Sequence, residues 1–303
     1  MKRKVLLMAS ALAWASIAQA EVLEITGEFP ANNREASFLE SISVDRFGGS
    51  DGSALQIAIE RALGGSQFEL LAGRAGRDTA QGSISGSISS GVDESSFRRK
   101  EKECVQKDDK GKKCLKEEQV EIRCKRRIID IKADIRIVRN TDGRILYSQP
   151  KPFREEVEWC RDGSPARTTE DVIEGAIRDI AGSLRGDLVP HVDTYKIRVR
   201  ESTKGLSKEV ANRFKELVKL TKRDARGACA GWDAMQAEAA GHPSLVFNLG
   251  LCAEQSGDYE KALGLYQDAA LAGANEGREG FERATRLIAG RADAQERAKR
   301  RRG

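Results

Sequence analysis

Six cysteines are the residues of this chain whose type and number point most directly to chemistry. They are Cys104, Cys114, Cys124, Cys160, Cys229 and Cys252. Their spacing contains no Cys-x-x-Cys unit, and neither histidine lies close in sequence to a cysteine pair, so a metal or redox-thiol site is disfavoured. An even number of cysteines is typical of structural disulfides in exported proteins. The sequence therefore predicts disulfides and no metal site.

The remaining residues suggest no catalytic constellation. His191 and His242 each adjoin a proline in a predicted loop or helix start, so both are predicted to be surface residues. No nucleophile elbow or zinc-protease motif accompanies them. The glycine-rich turn at residues 48–52 offers an anion site, but it lacks the lysine of a nucleotide-binding loop. A tight turn with a helix cap from Ser50 or Asp51 is the favoured interpretation, and we expect no catalytic residue and no cofactor.

Residues 1–20 have the three parts of a secretory signal peptide. A cationic start at residues 2–4 precedes an uncharged run at residues 5–17, and Ala18 and Ala20 occupy the −3 and −1 positions of a cleavage site. No cysteine follows the cleavage point for lipid attachment, and no later stretch is apolar enough for a transmembrane helix. Cleavage after Ala20 would leave 49 basic and 47 acidic residues, a net charge of +2 instead of +5, which is a poor basis for nucleic-acid binding. We expect a periplasmic protein, with outer-membrane association as the alternative.

Hydrophobic periodicity next predicts an α+β region with a mixed sheet and at least two helices. Predicted strands cover residues 38–47, 68–71, 128–138, 145–159 and 194–200, residues 82–91 are a strand or a loop, and predicted helices cover residues 55–63 and 171–188. Alternation is cleanest at residues 129–137. Pro150 and Pro152 mark an edge or a break, and Thr168 with Asp171 forms a capping-box-like helix start. Beyond Leu206 the pattern is helical, which places the domain boundary near residues 200–206.

The predicted hairpins suggest how the cysteines pair. Opposed residues of an antiparallel hairpin have a constant sum of residue numbers. A turn at residues 140–143 brings Cys124 nearly opposite Cys160, and a turn at residues 108–111 brings Cys104 nearly opposite Cys114. Cys229 and Cys252 remain, on predicted neighbouring helices. We therefore expect the bonds 104–114, 124–160 and 229–252.

A run of small, aromatic and turn residues organises the helical region. The positions are Val246, Leu249, Gly250, Ala253, Gly257, Tyr259, Ala262, Tyr266 and Ala269. In this order they resemble a tetratricopeptide repeat over residues 243–274, with Val246 and Ala253 in place of the usual Trp and Tyr. A shift of 34 residues puts Ala228 and Trp232 at the positions of Ala262 and Tyr266, which predicts a diverged repeat before it. Residues 279–291 supply a capping helix, and an ordinary helical hairpin without binding function is the alternative.

The first region has a second resemblance, carried by order and spacing. Val44-Asp45-Arg46-Phe47 precedes a glycine turn and a helix, a Gly-Ser strand follows at residues 82–91, and Asp142-Gly143-Arg144-Ile145-Leu146 precedes the helix at residues 171–188. This arrangement resembles the curli-secretion CsgG-like family, which includes periplasmic activators of cell-wall synthases. The resemblance implies a CsgG-like α/β domain at residues 21–203, with a charged, disulfide-closed hairpin at residues 93–127. An all-α, tetratricopeptide-like domain at residues 204–292 and a basic tail at residues 293–303 complete the predicted organisation.

These features favour a non-enzymatic periplasmic scaffold or binding protein of the cell envelope. Its repeat helices would bind a partner protein or peptide, with contacts near Asn248, Cys252 and Tyr266 in the inner groove. The rival functions are a component of an outer-membrane secretion or transport assembly of the curli-secretion type and, third, an envelope hydrolase. The tail is predicted to be a solvated helix end, with contact to an anionic surface as the alternative. Its basic residues are Lys299, Arg300, Arg301 and Arg302.

Overall fold

The computed structural model describes residues 21–300. The predicted signal peptide and the tail residues Arg301 and Arg302 lie outside this range. The strands are β1 (Val22–Phe29), β2 (Ser41–Val44), β3 (Glu69–Leu71), β4 (Gly82–Lys107), β5 (Cys114–Arg139), β6 (Ile145–Cys160) and β7 (His191–Arg198). The helices are α1 (Arg34–Ser37), α2 (Gly52–Leu63), α3 (Gly73–Thr79), α4 (Thr169–Leu188), α5 (Lys208–Leu220), α6 (Ala225–Ala234), α7 (Pro243–Gln255), α8 (Tyr259–Leu271) and α9 (Glu276–Arg300). Within residues 21–300, no helix is long and apolar enough to cross a membrane.

The described chain divides into two compact units. The sheet unit contains residues 29–191 and 290–300, and the helical unit contains residues 21–28 and 192–289. This differs from the predicted boundary at residues 203–204. The reason is the pairing of β1 with β7 in a two-stranded sheet of their own, which places both strands with the helices. The mixed α+β class and the helical C-terminal region agree with the prediction.

The sheet unit is built on a five-stranded mixed sheet in the order β3-β2-β4-β5-β6. Strand β2 runs parallel to β3 and β4, whereas β5 is antiparallel to both β4 and β6. The alternation predicted for β5 is confirmed. Its buried row lies in one core with apolar side chains of α2 and α4. The row consists of Ile129, Ile131, Ala133, Ile135 and Ile137.

Local sequence explains how the two larger helices of this unit begin. The Thr168 side chain accepts a hydrogen bond from the backbone N–H of Asp171, and the Asp171 carboxylate accepts one from the backbone N–H of Thr168. The predicted capping box is therefore present. The predicted side-chain cap of α2 is absent. Asp51 is the N-cap residue without a capping hydrogen bond, because its carboxylate accepts from the Ser90 hydroxyl at 2.5 Å.

Strands β4 and β5 are far longer than predicted. Each has 26 residues, and their pairing continues past Cys160, where β6 ends opposite Cys124. The part beyond this point, residues 98–123, is a two-stranded hairpin that we call the arm. Pro150 and Pro152 lie in β6, which is the edge strand of the sheet, as proline requires.

The helical unit packs α5 to α8 and the first part of α9 around large buried side chains. Phe214, Trp232 and Tyr266 are completely buried. Helices α7 and α8 form a hairpin whose turn contains Gly257 at φ +80°, a conformation that favours glycine. Ala228 and Trp232, the marker residues of the predicted earlier repeat, lie in the same core. In the predicted capping helix, Leu287 is buried whereas Phe281 is exposed.

Candidate functional site

The predicted partner groove is not exposed, so its prediction as a contact surface is wrong. Asn248 and Tyr266 are completely buried, and Cys252 is bonded to Cys229. The Asn248 side chain accepts from the backbone N–H of Arg200 at 2.8 Å and donates to the Arg200 carbonyl at 3.0 Å. A Cβ placed on Gly280 of α9 would overlap the Tyr266 ring. Asn248 and Tyr266 would be open in an isolated helical hairpin. Here the segment that follows β7 covers Asn248, and helix α9 covers Tyr266.

The tetratricopeptide-like positions instead build the interior of the helical unit. A Cβ on Gly250 would lie 2.8 Å from the Tyr266 ring, so glycine is needed for the close approach of α7 and α8. Val246 and Tyr259 are half-buried, and Gly257 lies in the turn. The remaining positions are buried, namely Leu249, Ala253, Ala262 and Ala269.

A buried carboxylate organises the polar part of this interior. Glu254 is completely buried and accepts from Arg283 at 2.6 and 2.8 Å. Tyr195 donates to it at 2.5 Å, and Tyr266 donates to it as well. Burial, and then the charge of Glu254, raise the pKa of Tyr266, while burial and the hydrogen bond to Glu254 raise that of Tyr195. Both phenols therefore stay protonated, and the cluster is a closed structural network with every oxygen of Glu254 engaged.

The two histidines have different surroundings. His191 is exposed, as predicted, and stacks on Phe29 with the ring centroids 5.5 Å apart. The prediction is wrong for His242, which is only 9 % exposed. Its Nε2 lies 3.2 Å from the Lys204 carbonyl, and its ring packs edge-on against Phe214. The helix start that it occupies is folded into the core instead of lying on the surface.

The cluster of side chains closest to a catalytic arrangement lies between β6 and α4. The Lys151 ammonium donates to the Ser183 hydroxyl at 2.9 Å and to the Asp187 carboxylate at 2.5 Å, and Tyr147 donates to Asp187 at 2.7 Å. Burial alone would raise the pKa of Asp187, but hydrogen bonds from Lys151, Tyr147 and Asn32 outweigh it and hold that pKa below its ordinary value of 3.8. Lys151 is thus an ion-pair partner of a carboxylate, which is a poor arrangement for a base that must activate Ser183. Among the described residues, no group of His, Cys, Asp and Glu side chains could hold a metal ion.

The glycine-rich turn before α2 is shaped by close backbone contacts. Gly49 has φ +96°, and a Cβ there would overlap the Ile88 carbonyl, while one on Gly52 would overlap the Phe47 carbonyl. The Asp51 carboxylate lies at this turn and would repel an anion. These contacts support the tight-turn interpretation over an anion site.

The three disulfides of the structure are 104–114, 124–160 and 229–252, the pairing expected from the sequence. Cys124 and Cys160 are directly opposed in the β5–β6 register. Cys104 is opposite Glu117, not Cys114. The register of this pair thus differs from the near-opposition expected, although the bond is the one expected. Register shifts near Gln106 bring the two cysteines to a Cα–Cα distance of 5.6 Å.

The charges along the arm are mostly paired near its base. Arg98 lies 3.4 Å from Glu121, and Arg99 lies 2.6 Å from Glu101. Arg161, in the chain after β6, pairs with Glu101 and Glu103. The base of the arm thus presents a polar surface on which most acidic groups are paired, while Lys100, Lys102 and Arg123 form no ion pair with a described residue.

An apolar surface on the helical unit was not found from the sequence. Leu271 at the end of α8 is 81 % exposed, and Phe281 of α9 is 37 % exposed. Together with Gln267, Ala270, Arg278 and Glu282 they line a shallow cavity of about 360 Å³. We call this the α8–α9 surface. A repeat motif marks the positions that face the core, so it gives no signal for this outer side.

The described part of the basic tail lies in the last turn of α9. Arg300 pairs with Glu296 at 3.0 Å, and its guanidinium lies 4.8 Å from the centre of the Phe38 ring. Asp293 of the same helix is nearly buried and pairs with Arg34. The segment at residues 290–300 therefore packs within the sheet unit through Asp293 and Arg300, while Lys299 and Arg300 themselves are exposed, in agreement with the predicted solvated helix end.

Comparison with known proteins gives little further guidance. The chain matches no protein-family model and no curated protein. It is similar to the crystal structure of a candidate lipoprotein from Caulobacter crescentus, with 13 % sequence identity and a TM-score of 0.24. The match covers 52 % of this chain and 92 % of that protein. It is also similar to a minor lipoprotein of Acinetobacter baumannii at 8 % identity and a TM-score of 0.24, covering 48 % and 90 %. Neither likeness is close enough to indicate function, and the tetratricopeptide-like and CsgG-like resemblances stay predictions.

Proposed function

We propose that this chain is a non-enzymatic scaffold or binding protein of the bacterial cell envelope, which holds a partner protein on its tetratricopeptide-like helices. The observation that carries the proposal is the α8–α9 surface. Large exposed apolar side chains that rim a shallow cavity are typical of protein contact sites. The contact lies on the outer side of α8 and α9, in place of the buried residues Asn248, Cys252 and Tyr266.

The disulfides support a periplasmic location. Such bonds persist in oxidising compartments and are rare in the cytosol. All six cysteines of the chain are engaged in them. The prediction of residues 1–20 as a signal peptide points to the same compartment, independently of the cysteines.

The partner contact can be tested by crosslinking in living cells. A photoreactive amino acid at Leu271 should give a discrete crosslinked protein species, because the side chain is exposed beside the cavity. The matched control is Ile57 of α2, an apolar side chain that is 46 % exposed in the sheet unit, and it should not give that species. With the photoreactive amino acid moved to Gln267, an exposed residue that lines the same cavity, the double variant Leu271→Asp/Phe281→Asp should lower recovery of the crosslinked partner at least about tenfold, because a buried apolar side chain contributes roughly 1.5–3 kcal/mol. Identical crosslinks at both positions, or none at Leu271, would refute the proposal.

One observation favours the secretion or transport assembly as a second candidate. Within the described residues, no strand pairs with the outer edges of the arm, and free edges can pair with strands of other chains. An assembly of this kind requires several copies. The molar mass of the purified chain in solution separates the candidates, since a single-chain mass at high concentration argues against the assembly.

A further inference from the structure

We propose that the far end of the arm docks on the surface of an anionic lipid bilayer. The surface in question is residues 104–115, which we call the tip. It contains the turn between β4 and β5 and the disulfide 104–114. This contact is independent of the partner contact at the α8–α9 surface.

The position of the tip makes it available. Six residues of β4 and eight of β5 separate it from the level at which β6 ends, which corresponds to about 20–26 Å at the rise of a β-strand. Within residues 29–191, the arm's strands pair only with each other beyond Cys124. The tip is therefore held away from the core of the sheet unit, on a two-stranded support.

The tip carries a cluster of lysines and a net positive charge. Lys107, Lys110, Lys112 and Lys113 are exposed, and none of them makes an ion pair with the residues that the structure describes. Lys116, just beyond the tip, is paired with Glu118 at 2.6 Å. Four lysines against two aspartates make the tip cationic, and each lysine near an anionic membrane adds roughly 1 kcal/mol of attraction.

The turn is rigid enough to present these lysines together. The Asp108 carboxylate accepts from the backbone N–H groups of Lys112 and Lys113 at 2.7 and 3.1 Å. The Asp108 N–H donates to the Lys113 carbonyl at 2.9 Å, and the Gly111 N–H donates to the Asp108 carbonyl at 2.8 Å. One aspartate is thus used to fix the loop through the backbone, and the lysine side chains remain unengaged.

Two exposed apolar residues select lipid over other polyanions. Val105 is 48 % exposed and Leu115 is 62 % exposed, and they follow the two cysteines of the tip. A bilayer interface accepts apolar side chains below the phosphate level while lysines stay at the headgroups. A polyanionic polymer or an acidic protein surface offers the lysines a partner but leaves Val105 and Leu115 in water. The combination therefore favours a phospholipid surface.

The test is co-sedimentation of the chain, residues 21–303, with vesicles. Vesicles of phosphatidylcholine containing phosphatidylglycerol should bind it, vesicles of phosphatidylcholine alone should not, and salt should weaken the binding. Lys112→Gln/Lys113→Gln should lower the partition coefficient about 25-fold, since roughly 1 kcal/mol per lysine is about fivefold. The control Lys208→Gln/Lys215→Gln makes the same charge change at exposed positions of α5 and should have no effect. Equal losses in the two variants would mean non-specific charge attraction and would overturn the proposal.

The apolar half of the proposal has its own pair of variants. Val105→Ser/Leu115→Ser should also weaken vesicle binding, whereas Ile145→Ser/Val192→Ser, at sites that are 52 % and 68 % exposed, should not. Wild-type vesicle binding by Val105→Ser/Leu115→Ser would show that the apolar side chains do not contribute, and it would overturn the preference for lipid over other polyanions. Capture by isolated cell-wall sacculi without capture by vesicles would overturn the lipid assignment as well. All altered side chains are exposed, and circular dichroism checks that each variant is folded.

Discussion

At the scale of single residues, one buried carboxylate and one partly buried carboxylate find their hydrogen-bond donors in different ways. Glu254 is fully enclosed and shares its oxygens among Arg283 and two tyrosines. Asp187 is 20 % exposed and holds Lys151 and Tyr147 against the end of α4. Sequence periodicity does not predict the burial of either residue, because a single charged residue in a helix is normally assigned to the solvent-exposed face. Their partners come from other elements, so only the folded chain reveals them.

The ion pair of Asp187 predicts a pH dependence of stability. Because its pKa is lowered in the folded state, folding favours the ionised carboxylate, and this contribution is present above the ordinary value of 3.8 and is lost as the pH falls. At neutral pH, Asp187→Asn should lower the free energy of unfolding by about 1.5–3 kcal/mol, the range for hydrogen bonds to a charged group. The difference should begin to shrink near about pH 5 and should be small well below the folded pKa. Urea titrations of both proteins across this range provide the measurement, and a difference that grows as the pH falls would contradict the assignment.

At the scale of elements, short-range pattern predicted β5 and α4, each of which has one buried face, but it did not predict β1, whose side chains alternate in the same way. The alternation of β5 predicted its buried row, and the Thr168–Asp171 spacing predicted the start of α4. The lengths of β4 and β5 were not predictable in this way, since residues 98–123 have little apolar alternation beyond Val120 and Ile122, and their pairing is held by backbone hydrogen bonds and the 104–114 disulfide. The prediction of a partner groove at Asn248 and Tyr266 was wrong for a related reason. A repeat motif describes a pair of helices and not the elements that cover them.

The α7–α8 contact predicts opposite effects for two glycine substitutions. Gly250→Ala should destabilise the protein by about 1–3 kcal/mol, because the new methyl group would overlap the Tyr266 ring. Gly264→Ala in α8 meets nothing within 4 Å and should stabilise it by roughly 0.5–1 kcal/mol through helix propensity. Thermal unfolding of the two variants measures both effects. Similar shifts in the same direction would show that α7 and α8 do not approach closely at Gly250.

At the scale of the whole molecule, the sequence suggested two consecutive domains, whereas the chain forms two discontinuous units. The pairing of β1 with β7 joins residues about 170 positions apart, and periodicity within a short window carries no information about such pairs. Residues 290–300 belong to the sheet unit for a similar reason, since Asp293 meets Arg34. The local pattern was enough to predict the α+β fold class, but it could not predict which segments of the chain belong to each unit.

The disulfides should therefore differ in what they stabilise. Removing 124–160 or 229–252 by paired Cys→Ser substitution should cost about 3–4 kcal/mol, because these bonds close loops of 36 and 23 residues within the packed units. Removing 104–114 should leave global unfolding almost unchanged but should raise hydrogen exchange and proteolysis at the tip, since that bond constrains only the end of the arm. Urea unfolding together with site-resolved exchange separates these outcomes. A large global loss from the 104–114 pair would mean that the arm is packed against the rest of the molecule.

The assignment of distant segments to each unit has a consequence for the order of events during biogenesis. The helical unit contains β1 together with the first part of α9, and the sheet unit contains Arg34 together with the last part of α9, where Asp293 lies. Neither unit is complete before residues 276–300 are present. Assembly of both units is then a late step that waits for α9, and a chain cut short before α9 leaves both units incomplete.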